Sequence, residues 1–143
     1  MNKLIYTLLL FLTLSIASYA QSNNVELLIN EGIALHDSTE YKLAIEKFES
    51  ALKLNPKSTL ALYEISLSYL ELKEYERASE YSTRVIEAND ETLLIGAYAV
   101  KSEALVGLDR IDDAILILKE GLSKIGESFL LHFNLALNYY KKN

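Results

Sequence analysis

From Val25 onward, apolar side chains return at steps of three and four residues, and no stretch alternates with a period of two. The first rhythm belongs to α-helices with one face turned inward, and the second, absent here, would mark strands. Short polar connectors interrupt it: HDSTE before Tyr41, KE before Tyr75 and LDR before Ile111. The spacing predicts helices over 25–37, 41–54, 59–72, 75–88, 93–107, 111–124 and 129–141, an all-α chain.

Laid against itself, the chain repeats. Gly32, Ser66, Ser102 and Ala136 stand 34, 36 and 34 residues apart, and Ala44, Ala78 and Ala114 stand 34 and 36 apart. Tyr41, Tyr75 and Ile111 keep the same intervals. The common shift of two places an insertion near Asp90–Leu94, between helices, where added loop length costs little. Small residues recur because antiparallel helices cross at about 8–10 Å, where a large side chain has no room. The alanines are therefore predicted at crossings, opposite Gly32, Ser66 and Ser102. Pro56 stops its helix by lacking an amide hydrogen and restricting Asn55 before it. The later units stop at Asn89-Asp90 and Gly126. One pair of helices cannot bury its own apolar face, so the units must stack.

At these residues the chain resembles the tetratricopeptide repeat, a helix–turn–helix unit. The first unit, Val25–Ser58, carries Leu28, Gly32, Leu35, Tyr41, Ala44, Phe48, Ala51 and Pro56. The second, Thr59–Thr92, matches at Leu62, Ile65, Tyr69, Tyr75 and Ala78, with Ser82 where Phe48 stood. The third, Ile95–Ser128, keeps Tyr98, Ser102, Leu105 and Ala114 but has Gly121 in place of an alanine. FNLALNYYKKN from Phe133 resembles the start of a fourth. The resemblance covers 25–143 and implies a right-handed α-solenoid of three and a half repeats.

Residues 1–20 are different. MNKLIYTLLLFLTLSIASYA has Lys3, an apolar run from Leu4 to Ile16, and Ser18-Tyr19-Ala20 before Gln21, the three-part form of a secretory signal. The expectation is a cleaved leader and a domain over 21–143, exported to the periplasm or outside a bacterial-type cell. The rival is an uncleaved helix that anchors the chain to a membrane. Without Lys3 the 14 basic residues become 13 against 20 acidic ones, a net charge of −7 instead of −6. With no basic cluster, such a surface repels nucleic acid and anionic bilayers. Cysteine is absent, which excludes a disulfide framework and a thiol nucleophile.

Candidate chemistry is sparse. His36 and His132 lie 96 residues apart. Asp112-Asp113 begins a predicted helix, where carboxylates favour the helix dipole. Glu40 and Glu74 hold equivalent places. Asn89-Asp90-Glu91 reads as a connector with a cap rather than a calcium loop. No glycine-rich phosphate loop or serine-centred elbow occurs. No enzyme, metal or cofactor is expected.

The resemblance implies instead a protein-binding inner surface, lined by the first helix of each unit. Carried onto this sequence, the lining is Ile29 and Ile33, then Leu60, Tyr63, Leu67 and Leu70. Ala99, Glu103 and Val106 follow, and Phe133, Leu137 and Tyr140 complete it. Family members that bind acidic chaperone tails use Lys, Arg and Asn as a carboxylate clamp. Ile29, Ile33, Tyr63, Leu67, Ala99 and Glu103 stand in those places, so that ligand is not expected. The lining is mostly apolar and edged by Glu26, Asp37, Glu64 and Glu71. It is either a groove for an apolar or amphipathic segment with basic flanks, or the core of a short array. An adaptor or scaffold is the preferred reading. The alternative is the sensor half of a longer regulatory envelope protein. Phe129–Asn143 is apolar nearly all round and predicts burial against a second copy or within a longer array.

Overall fold

The structure, a computed structural model, describes residues 22–142. The leader expectation for residues 1–20 therefore lies outside the described residues. Seven helices occur among them: α1 over 22–37, α2 Tyr41–Leu54, α3 Thr59–Glu71, α4 Tyr75–Ala88, α5 Leu94–Gly107, α6 Ile111–Ile125 and α7 Phe129–Lys142. Each predicted helix is present. Six have both ends within one residue of the prediction, and α1 is described from residue 22, three residues earlier than predicted. No strand occurs among the described residues.

Within each repeat the turn is the same device. Thr39, Lys73 and Asp109 have φ of 64°, 59° and 60°, the left-handed conformation that ends a helix. The next amide turns back in each case: Glu40 N–H donates to the Leu35 carbonyl, Glu74 to Tyr69 and Arg110 to Leu105, all at 2.9 Å. These bonds close the α1, α3 and α5 C-termini and reverse the chain within two residues. Between repeats the connectors differ. Asn55 and Pro56 end α2, and the Ser58 hydroxyl accepts from Ala61 N–H at 3.3 Å to cap α3. In the longer second connector Asp90 accepts from Thr92 N–H at 3.1 Å and from Thr59 Oγ1 at 2.6 Å, tying the loop to the start of α3. It braces the connector but does not cap α5, whose N-cap is Leu93 without a side-chain hydrogen bond.

The small residues lie where predicted. Ala44, Ala78 and Ala114 are fully buried, and Ser66 and Ser102 are essentially so. Ser102 Oγ donates to the Ala114 carbonyl at 3.5 Å, so that crossing is direct. At Gly32 an added Cβ would run into the buried Phe48 ring, and at Gly121 it would meet Tyr98 and Leu131. Ser82, which stands where Phe48 does one repeat earlier, is also buried and returns its hydroxyl to the Ala78 carbonyl at 2.8 Å.

The core is a strip. One cluster gathers Ile45, Phe48, Ile65 and Tyr69; a second gathers Val85, Tyr98, Leu105, Leu118 and Leu131. Leu52 and Tyr81 pack against both and make the strip continuous. The backbones of α3 and α5, and of α5 and α7, come within 8 Å of each other, whereas no such approach joins α2 to α4 or α4 to α6. First helices therefore crowd together while second helices splay apart. The stack curves with the first helices on its inner wall, the solenoid expected from the repeat.

Candidate functional site

The inner wall is built from α1, α3, α5 and α7. Ile29 is a correction to the expected lining. At 6% exposure it belongs to the first core cluster, since its side chain packs inward with Phe48 and Ile65 rather than into the groove. The other predicted residues remain reachable. Ile33 and Leu70 are half-buried against the first cluster, and Tyr63, Ala99 and Val106 against the second. Leu67 is half-buried too, while Leu60, Glu103, Phe133, Leu137 and Tyr140 are exposed. The wall is thus apolar in its floor and open along its edge.

Tyr63 is the best-held member. Gly96 on α5 leaves room for it: an added Cβ there would collide with the Tyr63 hydroxyl and ring. Its ring thus lies across the α3–α5 seam. Burial, and secondarily the neighbouring Glu64 carboxylate, push the Tyr63 phenol above its ordinary range, so it stays neutral.

The α1 and α3 part of the wall is acidic, while Lys141 of α7 stands with Glu103 at the α5–α7 cleft. Neither α1 nor α3 contains Lys or Arg, and the basic Lys101 of α5 lines a cleft with Ser79 of α4 and Ile117 of α6. Glu31 is paired with Lys47 of α2 at 2.6 Å. Glu26, Asp37, Glu64, Glu71 and Glu103 join no ion pair among the described residues. Burial raises the Glu64 carboxyl above the usual carboxylate range, and repulsion from Asp37 adds to it. Asp37 of α1 and Glu64 of α3 therefore repel each other, and neither joins an ion pair among the described residues.

A cleft of about 160 Å³ opens between α5 and α7. Three predicted residues, Glu103, Val106 and Leu137, line it with Ser102, Asn134, Asn138 and Lys141. Asn138 is buried and donates to Ser102 Oγ at 2.9 Å. The cleft is smaller than the several hundred Å³ of a metabolite site and fits a single side chain. Sequence reasoning missed its polar floor. The available signal was Asn138 in the register of the buried Ala104, an amide where the previous repeat has a methyl group.

The remaining polar candidates do not converge. His36 Nδ1 lies 2.9 Å from Ser68 Oγ, and His132 Nε2 lies 3.0 Å from Glu127, with no shared neighbour. Asp113 pairs with Arg110 at 2.7 Å and Asp112 with Lys142 at 2.6 Å. Glu40 and Glu74 occupy N-cap positions, one residue before the first turn. Among the described residues, no group of three or more His, Cys, Asp or Glu side chains is placed to hold a metal ion. No helix among them is long and apolar enough to cross a membrane.

The tetratricopeptide-repeat family model matches residues 60–92, which is the second of the units described above. Those residues match a tetratricopeptide repeat, and the described residues share the fold of tetratricopeptide-repeat solenoids. Among curated proteins the chain is similar to the TPR repeat-containing protein MJ1428 of Methanocaldococcus jannaschii, 25% identical over 114 residues. That match takes in 80% of this chain but about a fifth of the length of the relative. Among solved structures, the Arabidopsis OM64 TPR domain superposes with a TM-score of 0.76 at 16% identity, covering 85% of this chain and 98% of that one. The second TPR domain of human RPAP3, solved with an HSP70 peptide ending in EEVD, superposes with a TM-score of 0.72 at 17% identity, covering 85% and 97%. At such identities the likeness is one of fold.

Proposed function

We propose that this tetratricopeptide-repeat chain is an exported, non-catalytic scaffold that holds an apolar or amphipathic segment with basic flanks, supplied by a protein partner, on its inner wall. One observation carries this reading. The wall combines reachable Leu67, Leu70, Val106 and Leu137 with carboxylates that have no cation of their own. An apolar segment covers the first group, and lysine or arginine answers the second. The acidic peptide seen with RPAP3 meets the opposite chemistry here. Ile33, Tyr63, Leu67 and Ala99 offer it no donor cations, and Glu103 repels it.

The test is fluorescence anisotropy with a labelled Leu/Lys amphipathic peptide about 15 residues long, roughly four helical turns. Binding is expected at about 10–100 µM, weakening as salt rises through the physiological range. The same peptide with Glu for Lys, and one ending in EEVD, are expected not to bind. Leu67→Glu is expected to lower affinity about tenfold with unchanged circular dichroism, whereas an unfolded Leu67→Glu would assign these residues to the core. Equal affinity for the acidic peptides would overturn the proposal. Export rests on the leader residues alone, and N-terminal sequencing of protein recovered from its host should begin at Gln21.

A further inference from the structure

We propose that the cleft between α4 and α6, on the outer side of the stack, is a binding site for a free aromatic α-amino acid. The observation is a seam that one repeat fills and the next leaves open. Between α2 and α4, the Tyr69 and Tyr81 rings lie 5.6 Å apart in one cluster with Ile45 and Ile65. Arg77 and Arg84 cover them, each 5.1 Å from a ring. One repeat later, 34 residues on for α4 and 36 for α5 and α6, Ser79 replaces Ile45, Leu105 replaces Tyr69 and Ile117 replaces Tyr81. Each replacement is smaller. A cleft of about 370 Å³ opens there, within the range of small-molecule sites. Its walls are backed by further helices, α3 against α4 and α7 against α6.

The charges change together with the rings. Lys101 stands where Ile65 is buried one repeat earlier, and Glu120 stands where Arg84 covers Tyr81. Both line the cleft. Lys101 joins no ion pair or hydrogen bond among the described residues. Glu120 is held only by the Tyr98 hydroxyl, which donates to Oε1 at 2.9 Å. Burial, with the Glu120 hydrogen bond adding to it, pushes the Tyr98 phenol up to about 12, so it keeps the proton it donates. Arg110 and Asp113 on the same cleft satisfy each other at 2.7 Å. A cation and an anion thus share one cleft, unpaired with each other, beside the space of the missing rings. An aromatic amino acid answers each feature: its carboxylate meets Lys101, its ammonium meets Glu120 Oε2, and its ring covers Leu105, Leu116 and Ile117. A residue inside a polypeptide has given up both charges to peptide bonds, which favours the free amino acid over a partner's side chain. The cleft opens between second helices, away from the inner wall, so the inference does not rest on the proposed peptide ligand.

Heteronuclear NMR of the protein produced from the complete 1–143 sequence, titrated with phenylalanine to about 10 mM, tests it. Saturable shifts centred on α4, α5 and α6 are expected, with a Kd of about 1 mM for a site so open to solvent. Alanine lacks the ring, phenylacetate the ammonium, phenethylamine the carboxylate, and N-acetylphenylalaninamide both charges. Each should bind at least about tenfold more weakly than phenylalanine. Lys101→Gln and Glu120→Gln should each lower the affinity about tenfold with unchanged circular dichroism. Ser79→Ile, which reinstates the side chain of the preceding repeat, should lower it at least as much by narrowing the cleft. No saturable shift at about 10 mM, shifts centred on α1 and α3 instead, equal affinity for the blocked amide, or a Lys101→Gln protein that binds as the parent does would each overturn the proposal.

Discussion

Thr39, Lys73 and Asp109 hold φ near +60° without being glycine. A β-branched residue is the least suited to that conformation, because its side chain crowds the backbone. Thr39→Gly is therefore expected to stabilise the fold by about 0.5–1 kcal/mol, the relieved strain exceeding the extra entropy of an unfolded glycine. Thermal unfolding of the two proteins measures it. Glu64 is strained electrically instead. Its pKa is raised in the folded state, so folding disfavours its charged form. That penalty is absent below the ordinary value of 4.5 and fully present above the raised one. Glu64→Gln should thus be more stable than the parent at pH 7 and indistinguishable from it well below 4.5, as denaturant midpoints would show. The same variant should bind the Leu/Lys peptide less tightly. None of this was legible in the sequence. A left-handed turn without glycine has no signature, and the Glu64–Asp37 approach joins residues 27 positions apart.

Helix boundaries, by contrast, follow from local chemistry. Pro56, the Ser58 cap and the change of apolar rhythm at each connector act within a few residues, so their positions can be read in order along the chain. The crossings are equally legible, because a helix pair tolerates only a small residue at its closest point. Ala78 is buried where α4 meets α3, in a second repeat that has serine at both Ser66 and Ser82. Ala78→Leu should overpack this crossing and cost about 1–3 kcal/mol. Phe48→Ala, which empties the space beside Gly32, should cost about 3–5 kcal/mol. Chemical denaturation distinguishes the two, and Ala78→Ser, which keeps the volume small, should be milder than Ala78→Leu.

At the scale of the molecule, stability is shared between neighbouring repeats rather than held in one centre. The helix α4 is packed closely by both α3 and α5, while α7 packs closely on α6 and only lightly on α5. Amides of α7 should exchange with solvent at least about tenfold faster than those of α4, as hydrogen–deuterium exchange would show. By itself the sequence determined the helices, their pairing into repeats and the residues at the crossings, because period, caps and side-chain size act locally and recur at a fixed interval. Only tertiary structure decided which apolar residues on the first helices are core and which are reachable. Ile29 and Ile33 lie one helical turn apart and look alike in sequence. The first is buried in the core while the second is half-buried beside it, because their burial depends on which neighbours the stack sets against each. Tertiary structure also set Glu64 within reach of the Asp37 charge, since that depends on which helices become neighbours in space.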